Sequence, residues 1–164
     1  MFENADLTNE AVAGHGKEKE KLYRDMIGPE LPRLLVPGVR EFARRHSDLP
    51  MAVASNAEPE NVTFVLEKAG IRGLFRVVVD GHEVKRPKPD PEIYLTVAAR
   101  LEVSPRDCIV FEDSHTGITA AKAAGMKVVG VATTVSEFPH VDLTIQDFED
   151  PTLDAWLRDT FSHA

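Results

Sequence analysis

The chain has 164 residues, 43% of them apolar and 28% charged, with a net charge of −8 and a single cysteine. That length suits one domain with a buried core. The acidic balance opposes nucleic acid or an anionic membrane surface as partner, because phosphates call for a basic face, and one cysteine excludes an intrachain disulfide and a cysteine metal cluster.

Asn9 to Met26 is rich in Ala, Glu, Lys and Leu and free of Pro, which predicts a helix. Pro29, Pro32 and Pro37 break the segment that follows. A short helix is expected over Val39–His46, opened by Pro37 and Gly38. The chain then alternates. MAVAS (Met51–Ser55) reads as a strand, Glu58–Ala69 as a helix stopped by Gly70, and FRVVVD (Phe75–Asp80) as a strand. Asp90–Leu101 reads as a helix with Pro91 in its first turn. CIVFED is a strand, Thr116–Ala124 a helix, KVVGVAT a strand, LTIQDF a short edge strand, and Thr152–Phe161 a last helix. Strands alternating with helices imply an α/β fold: a Rossmann-like parallel sheet with helices on both faces. The strands are continuous apolar runs, which fits burial on both sides. The Pro-rich stretch is the candidate boundary between a helical piece, residues 1–33, and an α/β core, residues 34–164. No run approaches the roughly 20 apolar residues of a membrane span. The acidic start MFENADLTNE lacks the basic and apolar regions of a secretion signal. A cytoplasmic protein is the expectation.

Open parallel sheets bind ligands beyond the carboxyl ends of their strands. The residues at those positions are Ser55 and Asn56, then the loop DGHEVKRPKPD with Lys88, then Glu112, Asp113 and Ser114, then Thr133 and Thr134. A hydroxyl and an amide can hydrogen-bond phosphoryl oxygens, and a lysine can neutralise them. Two carboxylates can hold a hard cation such as Mg²⁺. Each has a plainer reading. Ser55 and Asn56 suit a helix cap, Lys88 a solvated surface, and the acid pair a helix N-terminus. Their gathering at one sheet edge favours phosphoryl chemistry. His115 is read as a capping or outward-facing residue, since an oxygen site does not need it. His15, in GHGKEKE, would reach a ligand only if the N-terminal helices cover the site. Cys108, inside an apolar run, is read as a buried structural thiol rather than a nucleophile.

VASNA, KPDPEIY and VFEDSHTGITAAKAAGM resemble three of the four motifs of the haloacid dehalogenase superfamily, in the form found in its β-phosphoglucomutase-like phosphatases. The resemblance is clear from about Leu35 to Thr134, and KEKEKLYRDMI is similar to part of the helical cap of that group. It implies an HAD-like core and a Mg²⁺-dependent phosphoric-ester hydrolase or phosphomutase acting on a small phosphorylated metabolite, such as a sugar phosphate. Ser55 then corresponds to the residue that hydrogen-bonds the transferring phosphoryl group, and Asn56 to a substrate or phosphate contact. Lys88 corresponds to the charge-stabilising lysine, with Lys85 the weaker candidate. Glu112 and Asp113 correspond to the metal-binding acids, Asp113 foremost.

The family's first motif, DxDx(T/V) after the first strand, has no counterpart. FENADLT offers Glu3 and Asp6 at the wrong spacing and without a preceding strand. The resemblance therefore implies a core that lacks the family's first strand and its nucleophilic Asp. That strand is central, and its loss would expose backbone groups on both neighbours. Three outcomes are open: a natural protein that is longer, a strand supplied by another chain or by a swapped N-terminal segment, or a sheet that closes up; homo-oligomerisation through the exposed edges would compensate for the loss. The alternative function is a catalytically inactive binding protein that keeps the fold. A phosphoacceptor signalling domain is disfavoured, because its acid pair follows the first strand rather than the third.

Overall fold

The computed structural model describes residues 9–133 and 137–161. Its helices are α1 (Asn9–Ile27), α2 (Leu31–Leu34), α3 (Val39–Arg45), α4 (Pro59–Lys68), α5 (Glu92–Leu101), α6 (His115–Ala123) and α7 (Pro151–Phe161). Its strands are β1 (Ala52–Ala54), β2 (Val77–Val79), β3 (Ile109–Glu112), β4 (Lys127–Val131) and β5 (Leu143–Ile145). Every long element expected from the sequence is present. The strands are shorter than the apolar runs that announce them. The four-residue α2 was not expected; Pro32 sits at its start, where a missing N–H costs nothing.

All strand pairs are parallel, with Val53 beside Val78, Val110 beside Val128 and Gly130 beside Thr144. They do not form one sheet. β1 and β2 make a two-stranded sheet, and β3, β4 and β5 a separate three-stranded one in that order. β1 and β3 are unpaired with each other, so closure of the sheet, one of the outcomes considered, does not occur.

The core explains why the two halves still hold together. On one face, α5 and α6 cover both sheets through a single apolar cluster. Ile93, Val97, Ile118, Ala120 and Ala121 lie in it against Val79, Val110 and Val128, with Ala52 and Ala54 packed at its edge. The alanines of α6 let the helix approach closely; Ala120 and Ala121 are fully buried. On the other face the apolar contacts divide. α4 packs Val62 and Leu66 toward Val53 and Val78. α3 and α7 pack Phe42, Leu153 and Leu157 toward Phe111, Val129 and Ile145. The chain crosses between these clusters at Leu35, which joins the first, and Val36, which joins the second. Continuous apolar strands are what such two-sided burial requires.

The N-terminal helices lie against α4. Arg24 Nη1 donates to Asn61 Oδ1 at 2.7 Å, and Asn61 Nδ2 donates to Glu20. Leu22, Met26 and Leu34 face solvent. Among the described residues no helix is long and apolar enough to cross a membrane.

Candidate phosphoryl-binding site

Ser55, Asn56, Lys88, Glu112, Asp113 and Ser114 line one cleft of about 510 Å³ beyond the carboxyl ends of β1 and β3. The sequence-predicted set is thus brought together, apart from Thr133, which bonds Asp113 without lining the cleft, and Thr134, which lies outside the described residues. Glu3 and Asp6 also lie outside them, as does the side chain of His15.

Lys88 reaches the cleft from a clamped loop. Glu92, in the first turn of α5, accepts the Lys85 N–H at 2.8 Å and the Arg86 Nε–H at 3.1 Å. Asp90 Oδ1 accepts the Glu92 N–H at 3.0 Å. The string KPDPE therefore fixes the loop as well as supplying its lysine. Lys88 Nζ donates to the Ala54 carbonyl at 3.1 Å and to Glu112 Oε1. It also sits 4.8 Å from the centre of the Tyr94 ring, within cation–π range. Its side chain is 9% exposed, so the solvated reading of Lys88 fails. Lys85 is exposed and does not line the cleft.

The two acids separate in role. Strand alternation sends the Glu112 side chain toward α5 and α6 and leaves Asp113 outward. Glu112 is buried. Its Oε1 accepts the Tyr94 hydroxyl at 2.6 Å, and its Oε2 accepts the Ser114 hydroxyl at 2.9 Å. Burial alone would raise its carboxyl pKa, but Lys88, Tyr94 and Ser114 outweigh that and hold it below its ordinary value. Burial, then the Glu112 charge, pushes the Tyr94 phenol far above its ordinary value, so it stays a donor. Gly117 makes this arrangement possible: a Cβ there would stand 2.0 Å from Glu112 Cδ. Asp113 is exposed, and Thr133 Oγ1 donates to its Oδ2 at 3.1 Å.

Ser114 caps α6, accepting the Gly117 N–H at 3.1 Å. The cap of α4 is Glu58, without a side-chain bond, so Ser55 and Asn56 are not spent on that helix end. Ser55 Oγ accepts the Ala57 N–H at 3.1 Å, which leaves its own hydrogen to donate. Asn56 Oδ1 accepts the Lys88 N–H at 3.3 Å, leaving its amide hydrogens for a ligand. The Asp80–Gly81 turn passes so close that a Cβ at Gly81 would meet the Asn56 carbonyl at 2.6 Å. His115 is exposed and lies edge-on to Phe138 at 5.9 Å. Cys108 is half-buried rather than buried, and burial raises its thiol pKa. That is the behaviour of an unactivated thiol.

Among the described residues no three His, Cys, Asp or Glu side chains converge as a ready metal cage. Mg²⁺ does not demand one; it is held through one or two carboxylates together with waters and phosphate oxygens. Asp113, outward at the cleft, fits that pattern. Glu112 fits it only by leaving Lys88.

Sequence reasoning did not assign Tyr94 or Gly117. Both stand inside quoted motifs, but their roles depend on where the Glu112 side chain goes, which only packing settles.

A sequence model of haloacid dehalogenase-like hydrolases matches residues 3–125. The chain is 33% identical over 136 residues to β-phosphoglucomutase of Bacillus subtilis, covering 83% of this chain and 60% of that protein. It is 39% identical over 128 residues to fructose-1-phosphate phosphatase YqaB of Escherichia coli, covering 77% of this chain and 65% of that protein. The chain thus spans less than two thirds of the length of either relative. In fold it is similar to the crystal structure of β-phosphoglucomutase from Clostridium difficile, with a TM-score of 0.80 at 24% identity over 97% of this chain and 70% of that one. The motifs, the parallel strands with helices on both faces, and the family match over most of the sequence agree: the chain belongs to the haloacid dehalogenase-like hydrolases, in the group of β-phosphoglucomutase and its related phosphatases.

Proposed function

We propose that this chain carries the phosphoryl-binding and metal-binding part of a Mg²⁺-dependent phosphatase or phosphomutase. The carrying observation is the cleft itself: a buried ammonium, a free hydroxyl, a free amide and an outward carboxylate meet at the ends of β1 and β3. Lys88 places positive charge beside the phosphoryl oxygens. Ser55 donates its hydroxyl and Asn56 its amide to them, which orients the group and spreads its charge. Asp113 would hold Mg²⁺, with Glu112 as its neighbour and as the anchor of Lys88. The ion, when bound, would neutralise charge on the phosphoryl oxygens. The substrate class is a small phosphorylated metabolite, and the sugar-phosphate names of the relatives support a sugar phosphate.

Residues 1–33 fit part of a helical cap and residues 34–164 the core. The exposed Leu22 and Met26 on α1 support this, since a cap helix buries such a face against further helices. A soluble, cytoplasmic setting accords with the composition.

The sequence has no DxD after an apolar run, and this favours a second reading, phosphate and Mg²⁺ binding without turnover. One experiment separates the two. Orthophosphate binding by the 164-residue chain would be titrated calorimetrically with and without Mg²⁺, beside p-nitrophenyl phosphate hydrolysis, with Asp113→Asn and Ser55→Ala as controls. Mg²⁺-dependent binding that both substitutions weaken supports the site. Turnover lost in Asp113→Asn makes the chain or its oligomer an enzyme. Absence of phosphate binding in a folded sample sinks the proposal.

A further inference from the structure

Two of the groups assigned to ligands are engaged with each other. An ammonium carries three hydrogens. Lys88 gives one to Glu112 Oε1 and one to the Ala54 carbonyl at 3.1 Å, and the centre of the Tyr94 ring stands 4.8 Å from its Nζ. Glu112 Oε1 accepts Lys88 and the Tyr94 hydroxyl together. Its Oε2 accepts the Ser114 hydroxyl at 2.9 Å and the Ser114 N–H at 3.4 Å. Both side chains are almost wholly buried. By contrast Ser55 keeps its hydroxyl hydrogen, Asn56 its amide hydrogens, and Asp113 is exposed.

The two partners differ in freedom. Glu112 ends β3, and its carboxylate lies against Gly117, where a Cβ would stand 2.0 Å from Cδ. Tyr94 and Ser114 hold it as well. Lys88 has a backbone tied to Asn56 at 3.3 Å and a flexible four-carbon side chain beyond it. The lysine side chain is thus the part that can swing.

We infer, resting on the phosphoryl- and metal-binding reading above, that the Lys88–Glu112 pair is a latch. Lys88 is released to a phosphoryl oxygen when a divalent cation takes its place on Glu112, so that cation and phosphate each favour the other's binding. A phosphate alone must draw Lys88 from a buried carboxylate, and a cation alone must displace a buried ammonium; either leaves a buried charge without its partner. Together they leave none, since the cation compensates Glu112 and the phosphate compensates Lys88. Tyr94 and Ser114 stay on Glu112 throughout and keep the carboxylate in place. The coupling is reciprocal, and such couplings are commonly about 5–150-fold.

Direct attraction between a bound cation and phosphate also couples the two, so the deciding measurements concern what the latch alone predicts. Orthophosphate binding by the whole chain is titrated calorimetrically in chelator, for the wild type, Glu112→Gln and Asp113→Asn. Each variant removes one carboxylate charge from the cleft, but only Glu112→Gln unlatches Lys88. Metal-free phosphate affinity should rise in Glu112→Gln by about tenfold more than in Asp113→Asn. Equal gains in the two variants, or no gain in Glu112→Gln, overturn the latch. A second measurement needs no variant and decides the matter if Glu112→Gln does not fold. Amine labelling of the wild type, read by mass spectrometry, compares Lys88 with Lys21, whose side chain is 73% exposed. Without ions Lys88 should react far more slowly than Lys21. Saturating Mg²⁺ should speed Lys88 by about tenfold and leave Lys21 unchanged, and orthophosphate added next should slow Lys88 again. Binding of both ions with no change at Lys88 overturns the latch alone. A folded wild type that binds neither ion overturns the site reading and the latch with it.

Discussion

Lys88 and Glu112 form an ion pair almost wholly removed from water, with side-chain exposures of 9% and 8%. The pair joins the two sheets at their carboxyl ends, because Lys88 also bonds the last carbonyl of β1 while Glu112 ends β3. Taking one partner away leaves an uncompensated buried charge, which costs more than the pair contributes. Lys88→Met should therefore destabilise the fold by about 3–5 kcal/mol. The double variant Lys88→Met with Glu112→Gln should recover part of that loss. Urea unfolding monitored by circular dichroism measures both, and equal stability of the wild type and Lys88→Met would show the pair to be solvated in solution.

Asp113 predicts the opposite pattern. It is exposed and bonds Thr133 at 3.1 Å. Asp113→Asn should change stability by no more than about 0.5 kcal/mol, as exposed substitutions do. It should nonetheless remove most Mg²⁺-dependent phosphate binding. Calorimetry beside a melting curve checks the dissociation of the two effects; a large fall in Tm would contradict the outward placement of this carboxylate.

Tyr94→Phe removes one donor from a buried carboxylate that keeps Lys88 and Ser114. A loss of about 1.5–3 kcal/mol is expected, the range for a bond to a charged group. Because the ring remains, its packing and its contact with Lys88 are kept. Chemical denaturation gives the number, and a neutral outcome would mean that water replaces the hydroxyl.

Gly117→Ala places a methyl where the Glu112 carboxylate lies, 2.0 Å from its Cδ. The neighbour is a held side chain, so the expected cost is about 1–3 kcal/mol of overpacking strain, with weaker phosphate binding because Lys88 follows its partner. Thermal melting and phosphate titration of the same sample test it. Unchanged values in both would show that Glu112 moves freely.

The pH response follows from five carboxyls among the described residues that are held below their ordinary values, Glu83, Glu92, Glu112, Asp142 and Asp150. For Glu112, burial opposes and Lys88, Tyr94 and Ser114 prevail. For Asp142, burial opposes and Lys122 with the Val128 N–H prevail. A depressed folded pKa adds stability that is present above the unfolded value, near 4 for such groups, and is lost as pH falls through the folded one. Stability should thus be level on this account from neutral pH to about 5 and decline below about 4. Urea midpoints across that range read the decline, and Glu112→Gln should lessen it without abolishing it, since Asp142 still contributes.

The helices were legible because their signals are local. Pro91 at the N-cap of α5 and Gly70 just beyond the end of α4 mark ends through backbone geometry that neighbours do not alter. The gathering of Ser55, Asn56, Lys88 and Asp113 was legible too, since parallel strands place their carboxyl ends together. The unequal fate of the adjacent acids was not. Two neighbouring residues on a strand face opposite ways, but which faces the core depends on what stands there: Tyr94, Gly117 and Lys88.

The sequence by itself determined the α/β order, the parallel strands, the family and most of the polar residues that gather at the cleft, because periodicity, turn chemistry and motif spacing are properties of the chain. Tertiary structure decided that Glu112 is a buried anchor while Asp113 is the exposed carboxylate, and that the described strands stand as two separate sheets. Those outcomes depend on contacts between residues far apart in sequence, and on a pairing energy that no single strand carries.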